Sequence, residues 1–140
     1  MRPVPWSLGI GLCAAWFVAP AQAEMIAEPV AVLQGLDKIT ARVLDFDAPV
    51  GQAVRFGNLS IRVRACEKSP PEDPPESAAF LEITSIRPGR DAVTEFSGWM
   101  FAQSPALASL EDPIYDVIVL DCKAASGSPA PGSSDGKTAR

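Results

Sequence analysis

The side chains able to carry chemistry in this sequence are almost all carboxylates: 17 Asp and Glu residues and no histidine. Without imidazole, neither a Ser-His-Asp nor a Cys-His nucleophile can be assembled, and zinc sites lose their commonest ligand. The sequence contains no G-x-S-x-G elbow and no glycine loop of the kind that cradles phosphate. Carboxylate pairs remain, since two acids flanking a glycosidic bond can divide the acid and base roles. Asp45, Asp47, Glu82, Glu95, Glu111, Asp116 and Asp121 are the candidates. With 17 acids in 140 residues, chance alone brings some together, so no catalytic residue is assigned. Asp45-Phe46-Asp47 offers oxygen ligands to calcium but lacks the spaced ligands of a calcium loop, and it reads as turn chemistry. No metal and no other cofactor is expected.

The cysteines carry a different chemistry. Met1 and Arg2 precede an apolar run, Trp6 to Val18, then Pro20 and the small-residue pattern Ala21-Gln22-Ala23. That is the order of a cleavable secretory signal over residues 1–23, and the run is shorter than the roughly 20 residues of a spanning helix. No integral membrane segment is then expected once the signal is removed. Cys13 sits inside the apolar run with Leu12 before it, which does not suit lipidation. Export leaves Cys66 and Cys122, an even count bound for the oxidising periplasm, which reads as one disulfide. Closing a loop of about 57 residues is worth roughly 4 kcal/mol in the chain-entropy model. The formal net charge of −5 makes nucleic acid a poor partner, because such binding depends on Lys and Arg neutralising phosphates.

The elements that must position these groups are strands. Lys38 to Val43 alternates, with Ile39, Ala41 and Val43 on one face, and Asp47-Ala48-Pro49 reads as the turn that ends it. Gln52 to Phe56 and Leu59 to Cys66 flank Gly57-Asn58, a two-residue hairpin signal. Four prolines between Lys68 and Ser77 exclude that stretch from any ladder. Ala78 to Ile86, Thr94 to Phe101 and Tyr115 to Cys122 complete the set, the last read as central and covered on both faces. A weak pattern around Val30 to Leu33 reads as a short edge strand. Ser104-Pro105 reads as the capped start of one short helical turn. The fold class is therefore all-β: a small sandwich or barrel of about six short antiparallel strands over residues 24–123, with a disordered tail, 124–140. Cys66 shares parity with Arg62 and Arg64, so either a bulge turns it or both faces of its strand are covered.

Two surfaces stand out. Trp99, Met100 and Phe101 are three large apolar residues in a row, and on a strand they cannot all face one core. Gly98 before them fits a bulge or a close backbone approach. One reading is a strand buried on both faces; the other is that, with Tyr115 and the turn from Ser104 to Glu111, they form a contact surface for an envelope protein, or for a glycan stacking on Trp99 and Tyr115. Arg62 and Arg64, with Arg42 beside them, line a face that could meet an anion, although alternating arginines more often pair with neighbouring acids.

Four stretches together resemble the DUF2155 family: G-L-D-K-I-T-A-R from Gly35, R-x-C from Arg64, F-S-G-W-M-F-A-Q-S-P-A-L from Phe96, and Y-D-V-I-V-L-D-C from Tyr115. The similarity runs from about Val30 to Cys122. It implies an exported protein of a Gram-negative bacterium with no assigned function, and it transfers no catalytic residue. Where the family often has histidine after the acidic residue, this chain has Asp112 after Glu111.

Overall fold

A computed structural model of the chain describes residues 24–126. The expected signal segment, with Cys13, and most of the expected tail lie outside the described residues. Eight strands form: β1 (Ile26–Ala27), β2 (Val30–Asp37), β3 (Arg42–Pro49), β4 (Ala53–Phe56), β5 (Leu59–Lys68), β6 (Ser77–Ser85), β7 (Val93–Phe101) and β8 (Tyr115–Lys123). All pairings are antiparallel. One sheet has the order β1-β5-β6-β7 with β4 also on β5, and the other has the order β3-β2-β8. Ala31, Leu33, Val117 and Val119 from the smaller sheet meet Leu59, Ile61, Val63, Leu81, Ile83 and Met100 from the larger in a single core. The small sandwich is thus an all-β fold, as its alternating sequence implies.

The β4–β5 hairpin follows the sequence most directly. Phe56 pairs with Leu59 across the two-residue turn, and Gly57 has φ +56° while Asn58 stays out of the left-handed region. Positive φ at the first central position alone is the pattern of a type II′ turn. Along β5, Leu59, Ile61 and Val63 are buried while Arg62 and Arg64 are exposed.

Past Val63 the alternation would carry Cys66 to the solvent face. A bulge prevents this: Val63 pairs with Leu81 and Ala65 with Phe80, leaving Arg64 unmatched. An extra residue on one strand flips everything after it to the other face, so Cys66 turns inward. The same device operates on β8, where Val32 pairs with Asp121 and Leu33 with Val119, leaving Leu120 unmatched. Each half-cystine therefore lies two residues beyond a bulge. The Cys66–Cys122 disulfide joins the sheets with Cα atoms 5.7 Å apart. Beside it, Asp121 accepts hydrogen bonds from Ser77 Oγ at 3.0 Å and Lys68 Nζ at 3.3 Å, and Lys68 also donates to the Cys122 carbonyl.

Several expectations are corrected. Val30 to Leu33 begins an eight-residue strand that is central, not at an edge. The strand read as central, β8, is an edge of its sheet, with Val117 and Val119 buried and Leu120 exposed. Ile39 and Ala41 belong to a tight turn, because Asp37 Oδ1 accepts the amides of Ile39 and Thr40 and competes successfully with strand pairing. Ala41 there has φ +55°. Asp47-Ala48-Pro49 stays in β3, and the chain turns one residue later, at Val50 and Gly51. A 3₁₀ turn does form at Pro105–Leu107, but Ser104 makes no side-chain cap. The proline stretch is a loop held by Ser69, whose hydroxyl donates to the Pro74 carbonyl and accepts the Glu76 amide.

Two expected outcomes test this corner. Replacing both half-cystines, Cys66→Ser with Cys122→Ser, should lower the unfolding free energy by about 2–4 kcal/mol, read from denaturant midpoints; an unchanged midpoint would contradict the entropic role. Asp121 is raised by partial burial but lowered further by the Cys122 amide, the Ser77 hydroxyl and Lys68, for a net fall below 3.8. A carboxyl whose folded pKa is depressed adds stability above its unfolded pKa and loses it as pH falls through the folded value. Asp121→Asn should therefore flatten the acid limb of a stability-against-pH curve below about pH 4. Parallel acid limbs in the two proteins would remove Asp121 from the account.

Candidate functional site

The apolar run on β7 resolves by parity. Ile83 pairs with Phe96 and Thr84 with Thr94, so Glu95 is an unmatched bulge residue, and from there Phe96 and Met100 turn toward the core while Trp99 and Phe101 turn outward. Met100 is 2% exposed and so is corrected out of the contact surface; Trp99 is 37% exposed. Phe101 is half-buried. Gly98 is not a bulge, and a Cβ there would rest 3.5 Å from the Phe96 ring, an ordinary contact.

On the outer face of the larger sheet, cross-strand register aligns Ala65, Phe80 and Trp99 in one row and Glu67, Ala78 and Phe101 in the next. Phe80 meets Trp99 edge-on, with ring centroids 5.7 Å apart at 85°, a favoured aromatic geometry. Because the middle residue of the second row is alanine, the surface dips there. Met25, Glu67, Glu76, Ala78, Trp99 and Phe101 enclose an open hollow of about 370 Å³.

Tyr115 is placed elsewhere. Its ring packs edge-on against Phe56 at 5.5 Å, and Phe56 stacks on Phe46. It lines a separate depression of about 420 Å³ with Asp37, Arg42, Val43, Leu44, Phe56 and Gly57. Asp37 there has its pKa held down chiefly by the Thr40 amide, consistent with its role in the β2–β3 turn. A platform pairing Trp99 with Tyr115 does not form. The turn after β7 contributes Leu107, which is exposed, while Leu110 is buried.

The basic stripe does not form either. Arg64, the unmatched residue of the β5 bulge, places both Nε and a terminal nitrogen 2.9 Å from Glu82 Oε2. Arg62 is exposed on the same face, but Arg42 begins β3 in the other sheet. A half-exposed pair of this kind contributes at most about 1 kcal/mol.

Most candidate acids have structural partners. Asp47 pairs with Lys123, Asp45 accepts from Gln34, Asp116 accepts the Val117 amide, and Asp121 pins the disulfide corner. Among the described residues no group of three or more His, Cys, Asp or Glu is placed to hold a metal ion. The side chain missed by sequence reasoning is Asp112, the buried acid before Pro113. Its Oδ1 accepts the Ile114 and Tyr115 amides at 2.8 Å, its Oδ2 lies 3.3 Å from Arg87, and its carbonyl accepts from Lys38 Nζ. Asx turn chemistry before a strand was the available signal. A third depression, about 680 Å³, lies between the proline loop and β8 and includes Lys68, Ser77 and Asp121.

Among the described residues no helix is long and apolar enough to cross a membrane. Comparison with known proteins adds identity without activity. The family described as "Uncharacterized protein conserved in bacteria (DUF2155)" matches residues 31–122, from the second residue of β2 to the second half-cystine. The "Uncharacterized protein RP359" of Rickettsia prowazekii (strain Madrid E) is similar, 31% identical over 87 residues that make up 62% of this chain and 56% of that protein. The chain thus spans little more than half the length of this relative. No solved structure matches. With the family match covering both sheets and the bridge between them, the chain belongs to the bacterial DUF2155 family.

Proposed function

We propose that this domain acts in the periplasm as a non-catalytic contact module of the cell envelope, and that its contact face is the outer surface of β5–β7 around Trp99. The observation that carries the reading is Trp99 itself, outward and 37% exposed beside Phe80 and Phe101. Exposed aromatic rings clustered on one face are characteristic of contact surfaces, where they supply large area at little entropic cost. The periplasmic setting rests on the secretory pattern of residues 1–23 and on a buried disulfide, which persists in oxidising compartments. A glycan-binding reading loses the paired Trp99 and Tyr115 platform, since the two rings line different depressions, and Trp99 is left as its main support.

The test is capture from a periplasmic extract with the exported protein and its Trp99→Ala variant, after matched unfolding midpoints establish that both are folded. At least one envelope protein should be retained about tenfold less by the variant. Indistinguishable partner sets would overturn the contact face. Mass spectrometry of the same material should find Glu24 at the N-terminus and no free thiol at Cys66 or Cys122; a retained leader or alkylatable thiols would overturn the periplasmic assignment.

A further inference from the structure

We propose that the hollow beside Trp99 takes the cationic end of a lysine or arginine side chain, offered by an extended segment of a partner protein. The inference rests on the outer face of β5–β7 being the contact surface, and it specifies what that surface recognises.

The geometry points to a cation in three ways. The hollow is lined by Trp99 and Phe101 on the β7 side, by Glu67 on the β5 side, and by Met25 and Glu76, the residue before β6, over a floor made by Ala78. An aromatic face attracts a cation through its quadrupole, and a carboxylate attracts it by charge. A neutral apolar occupant would gain from the rings but would desolvate the carboxylates without compensation.

The two carboxylates also have no cation of their own. Among the described residues neither Glu67 nor Glu76 takes part in an ion pair, whereas the basic groups that flank Glu67 along β5 are committed: Arg64 to Glu82, and Lys68 to Asp121 and the Cys122 carbonyl. Glu67 and Phe101 flank Ala78 from opposite neighbouring strands, so the gap between them is two inter-strand spacings, about 10 Å. That admits one long side chain and its charged head. Lys and Arg suit it doubly, because their methylene stems can lie along the rings while the head reaches the acids.

The exported full chain, labelled with nitrogen-15, tests this through the Trp99 indole N–H cross-peak, assigned by its loss in Trp99→Phe. The probes are a capped pentapeptide with a central lysine, the same peptide with norleucine, and chitotriose. The lysine peptide should shift the cross-peak saturably and bind about two- to fivefold more tightly than the norleucine peptide, the size of one exposed cation–π or ion-pair contribution. Raising the salt should weaken it. The double variant Glu67→Gln with Glu76→Gln, both at the surface and checked by unchanged amide dispersion, should lose most of the lysine preference and its salt dependence, leaving only what the rings supply. Equal binding of both peptides by the unmodified protein, an undiminished lysine preference in the double variant, no response to either peptide, or a response to chitotriose alone would each overturn the cation assignment. The Trp99→Ala capture result stands or falls separately, so a failed cation site with an intact contact face is recognisable as such.

Discussion

Everything in this domain is organised around a covalent bond that ordinary strand alternation would forbid. Strict period-2 alternation from Leu59 and from Val117 directs Cys66 and Cys122 away from the core. Bulges at Arg64 and Leu120 reverse both, so the two sulfurs meet between the sheets. The bond matters because the core is modest: beyond its leucines, isoleucines and Met100 it consists of valines, alanines and the half-cystines, with the aromatic rings at its margins. A three-stranded sheet offers little face to bury, and small domains of this kind depend on cross-links to offset chain entropy. Asp121 reinforces the same corner, tying Lys68 and Ser77 of the larger sheet to β8 of the smaller.

The bulge that turns Cys66 inward has an equal and opposite effect on its neighbours. Arg64 already faces outward by alternation and meets Glu82 there, and the bulge adds Ala65 and Glu67 to the outer face, in register with Phe80, Trp99, Ala78 and Phe101. Glu95 plays the matching part on β7, setting the parity that buries Met100 and exposes Trp99. The buried core and the composition of the outer face are therefore two consequences of one set of register shifts. Deleting Arg64 would remove the bulge itself: Val63 and Ala65 would then follow one another in register with Leu81 and Phe80, and Cys66 would face inward by plain alternation.

The legible parts of the sequence were those decided locally. Gly57-Asn58 between alternating runs specifies its hairpin, and the run Trp99-Met100-Phe101 requires that one parity face outward; both follow from backbone geometry alone. The disulfide was legible from the two cysteines left after the expected signal segment, a pair with one possible connectivity. The parity conflict at Cys66 was visible, but its solution was not, because a bulge is settled by the partner strand's pairing and leaves no fixed residue signature. Strand order failed for the same reason. The continuous apolar run of β8 looks like a centrally buried strand, yet β8 is an edge, and Leu120 alternates outward from the inward Val117 and Val119. Ile39 and Ala41 match a strand pattern as well as any pair in the chain, and only the Asp37 carboxylate capturing two amides converts them to a turn.

Glycine placement separates the aromatics that the fold needs from those it does not. A Cβ on Gly35 would lie 2.6 Å from the Phe56 ring, and one on Gly57 would collide with the Tyr115 ring. Both glycines thus make room for Phe56 and Tyr115, which pack on each other and against the core. These two rings close one end of the sandwich, and the backbone has been shaped around them. Phe80 and Trp99 have no such accommodation. Each touches the other on the solvent side of a sheet whose inner face is already filled by Leu81, Ile83 and Met100. The indole is therefore held outward by strand parity alone, beside Glu67 and Glu76 in the same hollow, and no feature of the inner packing requires it.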